Sequence, residues 1–208
     1  MPSPKKTKGE ITKDKIIDAT LELIAESGLH NVSARNIGTK AGVRHSLTTY
    51  YFGSVENLIC QSFDRFALLE LSTFSDLLIR VERLFELDHQ PQVLIQAIAR
   101  ELVTFILSDS NPVRRKQVAI ENQFIFSLNT CPELDDRLHR YNENIMSAVR
   151  GIMERCGSQE LEADSYSLVS IFRYYELASA KGGHLSPSPD VLERVLQKLI
   201  QGIYQPQI

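Results

Sequence analysis

The sequence of 208 residues has no tryptophan, three cysteines and no apolar run of eighteen residues. Without such a run, it predicts no helix that spans a membrane. Its ten glycines and eight prolines are few, and they stand between periodic apolar segments. This arrangement favours an all-α chain that is long enough to bury a core.

The motifs of common enzyme classes are also missing. The chain has no P-loop, dinucleotide-binding glycine pattern or Gly-x-Ser-x-Gly, so we expect no cofactor and no catalysis. Cys60, Cys131 and Cys156 lack the spacing of a metal or redox site, and inert thiols are the simpler interpretation. Redox sensing by Cys131 or Cys156 stays open as an alternative. The odd cysteine count and a start without the apolar core of a signal peptide predict a cytoplasmic protein.

The net charge of −3 is unevenly distributed. Residues 1–53 contain eight lysines and arginines against five acidic residues, so the rest of the chain is acidic. A basic end on an acidic body is expected where only that end meets phosphate groups. The pI near 6.0 argues against a protein covered in nucleic acid.

Residues 32–53 contain the signals for two short helices joined by a turn. Ser33 is a good N-cap for the first helix, and Gly42 stands where glycine ends helices. A second helix is predicted over residues 44–51, and Gly53 ends it. Two helices crossed through a small turn, the second polar and cationic, are typical of a reader of the DNA major groove.

The two helices divide into an inner and an outer side. The inner, apolar set is Ile37, Ala41, Val43 and Leu47. The outer set on the second helix is Arg44, His45, Ser46, Thr48, Thr49, Tyr50 and Tyr51. These outer residues offer hydrogen-bond donors, hydroxyls and aromatic edges, with little carboxylate to repel DNA.

Residues 11–59 resemble the DNA-binding domain of the TetR (tetracycline-repressor) family. The matching segments are Ala25-Glu26-Ser27-Gly28, Ser33-Ala34-Arg35-Asn36-Ile37, Ala41-Gly42-Val43, and Tyr51-Phe52-Gly53-Ser54 with Leu58. Beyond these residues only the length and the helical character match the family.

The resemblance implies roles for the residues of the helix-turn-helix. Base edges or nearby sugars would be contacted by Arg44, His45, Ser46, Thr48 and Thr49. Phosphates would be contacted by Tyr50, Tyr51 and the helix start at Ser33, Ala34 and Arg35. Phe52 would fill the core of the domain instead.

Two residues depart from the family's pattern. Ser46 stands where the family usually has a glycine, and Val55 stands where it usually has a lysine. Without that lysine one phosphate contact is lost, and the slope of log K against log salt concentration should become shallower by about 0.9. The operator sequence therefore cannot be carried over from the family.

Apolar periodicity predicts about nine helices in three regions. Residues 1–10 are expected to form a flexible basic arm, residues 11–53 a three-helix DNA-binding domain, and residues 54–208 a helical ligand-binding and dimerisation domain. The first helix is expected to start at about Thr12. The fourth is expected either to run long or to break once before Asp88.

The last two helices carry more apolar surface than a terminal hairpin can hide. In the family such a pair meets its symmetry mate, which implies a homodimer on a palindromic operator. The alternative is that both helices cap the core of a single chain. The expected interface consists of Leu168, Phe172, Val191, Leu192, Val195, Leu196 and Leu199.

Aromatic residues with polar neighbours are concentrated in the helices between these two regions. Such stripes are more often plain core, but family members commonly hold an apolar effector there. The candidate ligand-binding residues are Phe63, Phe66, Phe105, Asn122, Gln123, Phe126, Tyr141, Phe172 and Tyr175.

An enzyme interpretation is weaker. Glu86 with His89, and Asp136 with His139, each place a carboxylate three residues before a histidine, as di-iron helical bundles do. The second pair has aspartate, and matching carboxylates on other helices are not evident. Chance explains both pairs, and no metal site is expected.

Together these observations predict a homodimeric transcriptional regulator of the TetR type. A repressor that occupies a palindromic operator and is released by a small-molecule effector is favoured. The effector would hold the two helix-turn-helix units at a spacing that no longer matches one turn of DNA, roughly 34–36 Å. A helical bundle that binds only proteins is the alternative.

Overall fold

A computed structural model of the chain describes residues 6–87, 90–107, 112–126, 131–180 and 188–204. Within these ranges the secondary structure is nine α-helices and one 3₁₀ turn, Leu29–Asn31, with no strand. The helices are α1 (Lys8–Ser27), α2 (Ala34–Ala41), α3 (Ser46–Phe52), α4 (Val55–Glu86), α5 (Pro91–Leu107), α6 (Pro112–Ile125), α7 (Pro132–Arg155), α8 (Leu161–Ala180) and α9 (Pro189–Ile203). The predicted all-α class is confirmed. None of the helices in the described ranges is long and apolar enough to cross a membrane.

The chain divides into two compact units. The first unit is Met1–Leu68 with Ala119–His139, and the second is Leu69–Val118 with Arg140–Ile208. The sequence placed a domain boundary after residue 53, whereas the first unit also contains the beginning of α4 and a later segment of the chain. This difference arises because the units are defined by packing between segments that are distant in sequence. A single boundary along the chain cannot describe such packing.

Helix α1 begins earlier than the sequence analysis predicted. Thr7 is its N-cap: the Thr7 hydroxyl accepts a hydrogen bond from the Glu10 N–H, and the Glu10 carboxylate accepts one from the Thr7 N–H. This reciprocal pair is a capping box. Thr12, where the helix was expected to start, lies inside the helix, and its hydroxyl donates a hydrogen bond to the Lys8 carbonyl. The predicted flexible arm is therefore wrong for residues 8–10, and residues 1–5 lie outside the described part of the chain.

A small apolar cluster holds the helix-turn-helix together. Ile16 from α1, Ile37 from α2, Phe52 from α3 and Leu58 from α4 are buried against one another. Phe52 is only 3% exposed, as expected for the residue that fills this core. One side chain from each of four helices thus fixes the position of α3 on the first unit.

Helix α4 is continuous over 32 residues, so of the two alternatives the long helix is correct. Ser54 caps it, since the Ser54 hydroxyl accepts a hydrogen bond from the Asn57 N–H at 3.1 Å. Its Glu56 carboxylate lies in the first turn, where the helix dipole favours negative charge.

The second unit has a larger core, in which α5 packs against α9 and α8. This core corrects part of the predicted dimer interface. Leu168, Leu192 and Leu196 are each at most 1% exposed and belong to the core of one chain, so they are not available to a partner. Val191 and Val195, on another side of α9, are exposed.

Candidate nucleic-acid interface

The start and end of α2 are set by local signals. The Ser33 hydroxyl accepts a hydrogen bond from the Asn36 N–H at 3.3 Å, as an N-cap does. Gly42 has a φ of 65° and a left-handed conformation, which glycine adopts at no steric cost. The Val43 N–H then donates to the Gly38 carbonyl at 2.9 Å, which satisfies one of the last carbonyls of the helix. These contacts determine where the chain turns toward α3.

Gly38 allows α2 to approach the turn that precedes α3. A Cβ placed on Gly38 would lie 3.0 Å from both the His45 Cα and the Val43 carbonyl oxygen. Both neighbours are backbone atoms, so a larger residue would push the turn away. A glycine inside an eight-residue helix costs stability relative to alanine, and this close approach explains its presence. The sequence analysis gave it no role.

Helix α3 is shorter at its start than predicted. It begins at Ser46, and the preceding residues form a tight turn in which the Leu47 N–H donates to the Arg44 carbonyl at 2.9 Å. Arg44 and His45 therefore lie in that turn, both exposed to solvent. Tyr50 is 77% exposed, which is high for an aromatic side chain.

Five of the seven outer residues form a continuous exposed set. They are Arg44, His45, Ser46, Thr49 and Tyr50, and we call them the recognition surface. Its groups are a guanidinium, an imidazole, two hydroxyls of Ser and Thr, and a phenol. These groups hydrogen-bond to base edges and phosphates.

Thr48 does not belong to the recognition surface, which corrects the sequence analysis. Thr48 is 2% exposed, and its hydroxyl donates to the His45 carbonyl at 2.6 Å. It lies four residues before Phe52, on the inner side of α3. Thr48 therefore closes the turn before the helix and cannot reach a base from this position.

Tyr51 is half-buried and lies beside α1. Its ring meets the Tyr50 ring edge-on, with centroids 5.0 Å apart. The Lys13 ammonium lies 5.8 Å from the Tyr51 ring centroid, within the range of a cation–π contact. Lys13 thus adds a positive charge from α1 near α3. The sequence analysis missed it, because an exposed lysine on an amphipathic helix has no distinguishing local signal.

The cations of the first unit differ in their partners. Lys40 is paired with Glu26 at 2.7 Å, and Lys6 is paired with Asp14 at 2.6 Å. By contrast, Arg35 and Arg44 are exposed and form no ion pair with any residue that the structure describes. Arg35 lies in the first turn of α2, where Ser33 is exposed and Ala34 half-buried. Two guanidinium groups are therefore available for an anionic partner.

The nine candidate ligand-binding residues are divided between the two units. Phe63, Phe66, Asn122, Gln123 and Phe126 belong to the first unit, and Phe105, Tyr141, Phe172 and Tyr175 belong to the second. Phe63 and Phe66 pack on Phe124 in the first unit, which is ordinary aromatic core. Phe126 is 64% exposed and lies outside that core.

A cavity of about 210 Å³ lies in the first unit, and none of the nine candidates lines it. It is bordered by Ser54, Glu56, Asn57, Cys60, Cys131, Glu133 and Arg137. In the parts of the chain that are described, no group of three or more histidine, cysteine or carboxylate side chains is placed to hold a metal ion. His89 of the proposed di-iron pattern lies outside those parts.

Residues 16–60 match the family model of bacterial regulatory proteins, tetR family. The N-terminal domain is of the TetR type. The match covers α2, the turn and α3, and it ends within the first turns of α4. The recognition surface is thus part of a TetR-type helix-turn-helix. No curated protein matches the sequence.

Solved structures are similar in fold to this chain over most of its length. A transcriptional regulator from Rhodococcus sp. RHA1 has 20% identity and a TM-score of 0.67, covering 92% of this chain and 95% of that one. NalD, the secondary repressor of the MexAB-OprM multidrug efflux pump in Pseudomonas aeruginosa, has 15% identity and a TM-score of 0.68, covering 96% and 100%. The multidrug binding protein EbrR, crystallised with imidazole, has 18% identity and a TM-score of 0.62, covering 94% and 96%. At these identities the likeness establishes a TetR-like fold.

Proposed function

We propose that this chain is a DNA-binding transcriptional regulator that acts as a homodimer on a palindromic operator. The recognition surface carries the proposal, because it presents donors, hydroxyls and an exposed tyrosine on a helix fixed by a buried core. Arg35 and Arg44 supply positive charge that no carboxylate of the described chain neutralises. Phosphate contacts from Arg35 and the start of α2 would set the position on DNA, and α3 would read base edges.

The proposed dimer uses exposed apolar side chains of α8 and α9. On α8, Tyr166, Tyr174 and Leu177 are between 40% and 58% exposed. On α9, Val191 and Val195 lie one turn apart and are each 37% exposed. A two-fold pairing of this surface would bury it and present two recognition surfaces to one DNA duplex.

The proposed effector is an apolar small molecule bound by the second unit. Phe105 packs against Phe74 and Phe172 there, with ring centroids 5.9 Å apart in both pairs. The Arg114 guanidinium lies 5.7 Å from the Phe105 ring centroid, which adds a charged group to an aromatic setting. The names of NalD and EbrR associate those proteins with multidrug efflux and multidrug binding, which supports an apolar ligand here. Repression would end when the effector favours a dimer with the wrong operator spacing.

The test is selection of bound fragments from a random genomic DNA pool, followed by affinity measurements over a range of salt concentrations. We expect an enriched inverted repeat and a steep loss of affinity with salt. Arg44→Ala should weaken binding to that repeat by about 1–3 kcal/mol. Arg140→Ala removes an exposed arginine of the second unit and serves as the matched control, with affinity unchanged.

Two outcomes would contradict the proposal. If no DNA is enriched, the chain is better explained as a protein-interaction bundle. If Val195→Glu leaves the assembly state measured by light scattering unchanged, the proposed dimer surface is wrong. A monomer at micromolar concentration that also fails to associate on DNA would remove the dimer altogether.

A further inference from the structure

Two cysteines that are 71 residues apart in sequence lie next to each other in the first unit. The Cys60 Sγ and the Cys131 Sγ are 3.9 Å apart. Cys60 is buried in the early turns of α4, and Cys131 is half-buried immediately before α7. Sulfur atoms in a disulfide are about 2.05 Å apart, so a small movement would bring these two within bonding distance.

The surroundings hold the two cysteines in place. The single Nε–H of Arg137, on α7, donates a bifurcated hydrogen bond to the two oxygens of the Asp64 carboxylate, at 2.9 and 3.1 Å. Asp64 lies one helical turn after Cys60, so the same side of α4 contacts the start of α7 twice. The Arg137 Nη1 also donates to the Glu133 carbonyl at 3.1 Å. The cysteine pair is therefore part of a defined packing arrangement between α4 and α7.

A small molecule can reach this pair. Cys60 and Cys131 both line the cavity of about 210 Å³, together with Arg137 and polar groups of the start of α4. A water molecule takes about 30 Å³ in the liquid, so the cavity has room for a hydroperoxide.

The two thiols differ in their environment. Burial raises the pKa of Cys60 to about 11, which keeps it a thiol near neutral pH. Cys131 is more exposed, and its carbonyl accepts the Leu134 and Asp135 N–H groups, which places it at the N-terminus of α7. Cys131 is thus the thiol that a hydroperoxide meets first, and Cys60 beside it is the resolving group.

We propose that Cys60 and Cys131 form a reversible disulfide when the protein meets a hydroperoxide. The Cys131 thiolate attacks one peroxide oxygen, so an S–O bond forms, the O–O bond breaks and hydroxide leaves. The Cys131 sulfur is oxidised by two electrons to a sulfenic acid, and the peroxide is reduced. The Cys60 sulfur then attacks the Cys131 sulfur; the S–S bond forms, the S–O bond breaks, and hydroxide leaves with the Cys60 proton as water. A dithiol reductant reverses the reaction.

Peptide mapping of the full-length protein tests the disulfide. Trypsin places the three cysteines in separate peptides, 45–65, 117–137 and 156–173. After treatment with hydrogen peroxide, the free thiols counted under denaturing conditions should fall from three to one, and peptides 45–65 and 117–137 should be joined within one chain. Three remaining thiols, a Cys131 sulfinic acid without a link, or a link between two chains would each overturn the proposal.

Variants separate the two chemical steps. Cys156→Ser should behave as the wild type, because Cys156 lies fully buried in the second unit. Cys60→Ala should stop at a sulfenic acid on Cys131 that dimedone traps, and Cys131→Ser should lose no thiol. Circular dichroism checks that each variant is folded. If a variant does not fold, the peptide map of the oxidised wild-type protein still tests the disulfide. Rapid oxidation of Cys60 in Cys131→Ser would contradict the assigned order.

A consequence for DNA binding rests on the proposed function. Cys60 follows Leu58 by two residues, and Leu58 packs with Phe52 in the core under α3. Drawing Cys60 toward Cys131 should displace this contact and weaken operator binding by roughly 5–150-fold, and a dithiol should restore it. Equal affinity in both redox states would overturn this consequence alone. Absence of DNA binding in the reduced state would count against the proposed function, while the peptide map would still decide the disulfide.

Discussion

The core under the helix-turn-helix and the core of the second unit differ in size and in chemistry. Four buried apolar side chains form the first cluster, whereas nineteen form the second. The second unit also buries an ionic group, in which Arg114 contacts the carboxylates of Glu70 and Glu176. In a small core each side chain contributes a larger fraction of the free energy of unfolding. A large core can bury a paired charge in addition to its apolar contacts.

This comparison explains why the first unit is recognisable from sequence and the second is not. In a cluster of four residues each position has few acceptable replacements, and the caps of α2 and α3 are local signals. In a cluster of nineteen, many combinations of apolar residues fill the same volume. The family match accordingly covers residues 16–60 alone.

The largest expected effect comes from the small core. Phe52→Ala should lower the free energy of unfolding by about 3–5 kcal/mol, because it removes a buried aromatic ring from a cluster of four. Urea denaturation followed by circular dichroism measures it. Tyr50→Ala, two residues earlier but exposed, should change stability by no more than about 0.5 kcal/mol. Similar losses in both variants would mean that the small cluster does not fix α3.

The ionic group of the second unit should give a loss of comparable or slightly smaller size. Arg114→Met leaves two buried carboxylates without this cation, and we expect a cost of about 3–5 kcal/mol. Arg150→Met is the control, since Arg150 pairs with a Glu162 side chain that is 63% exposed. Solvent screens that pair, so its loss should be far smaller. Equal effects of the two substitutions would show that burial of the ionic group is unimportant.

The same substitution should have opposite effects in the two units. Gly38→Ala forces a Cβ against backbone atoms of the turn, and we expect a destabilisation of about 1–3 kcal/mol together with weaker DNA binding. Gly151→Ala, within α7 and with no atom within 4 Å of the added Cβ, should stabilise by about 0.5–1 kcal/mol. Thermal denaturation of both variants shows whether each substitution raises or lowers the stability. A stabilising Gly38→Ala would refute the close approach.

The smallest expected effect is at the start of α1. Thr7→Ala removes the N-cap hydroxyl and should cost about 1 kcal/mol. Thr12→Ala, whose hydroxyl bonds within the helix, is the control and should change little. A larger loss in Thr12→Ala than in Thr7→Ala would restore the later helix start that the sequence analysis predicted.

The capping box should also show a pH dependence. The Thr7 N–H and hydroxyl hold the pKa of Glu10 below its ordinary value of 4.5. A carboxylate with a lowered pKa contributes stability above its ordinary pKa and loses it as the pH falls through the folded-state value. The stability difference between the wild type and Glu10→Gln should therefore be present at pH 7 and disappear in acid below pH 4.5. A difference that grows in acid would contradict the capping box.

The features that the sequence predicted correctly depend on short-range chemistry. Ser33 and Gly42 were identified as helix-end signals because each acts on amides or carbonyls within a few residues. The start of α1 was misplaced although Thr7-Lys8-Gly9-Glu10 has the pattern of a capping box, because the apolar periodicity begins only later. Thr48 was assigned to the outer side because a hydroxyl is usually exposed; here its own backbone satisfies it.

The features that the sequence did not predict depend on contacts between distant segments. Leu192 and Leu196 form an apolar stripe on α9, but periodicity cannot tell whether the same chain or a partner covers such a stripe. Cys60 lies on α4 and Cys131 lies just before α7, and the 71 residues between them along the chain follow no spacing rule that would bring the two together. Only packing of the helices determines these neighbours.

The ionic group of the second unit has a consequence for how its helices can move. Glu70 lies on α4, Arg114 on α6 and Glu176 on α8, so one guanidinium ties three helices. Moving any of these helices by one turn along its axis would leave a buried charge without its ion-pair partner, at a cost of several kcal/mol. The ion pairs therefore form at only one position of α4, α6 and α8 along one another. Any movement that keeps these pairs must move the three helices together.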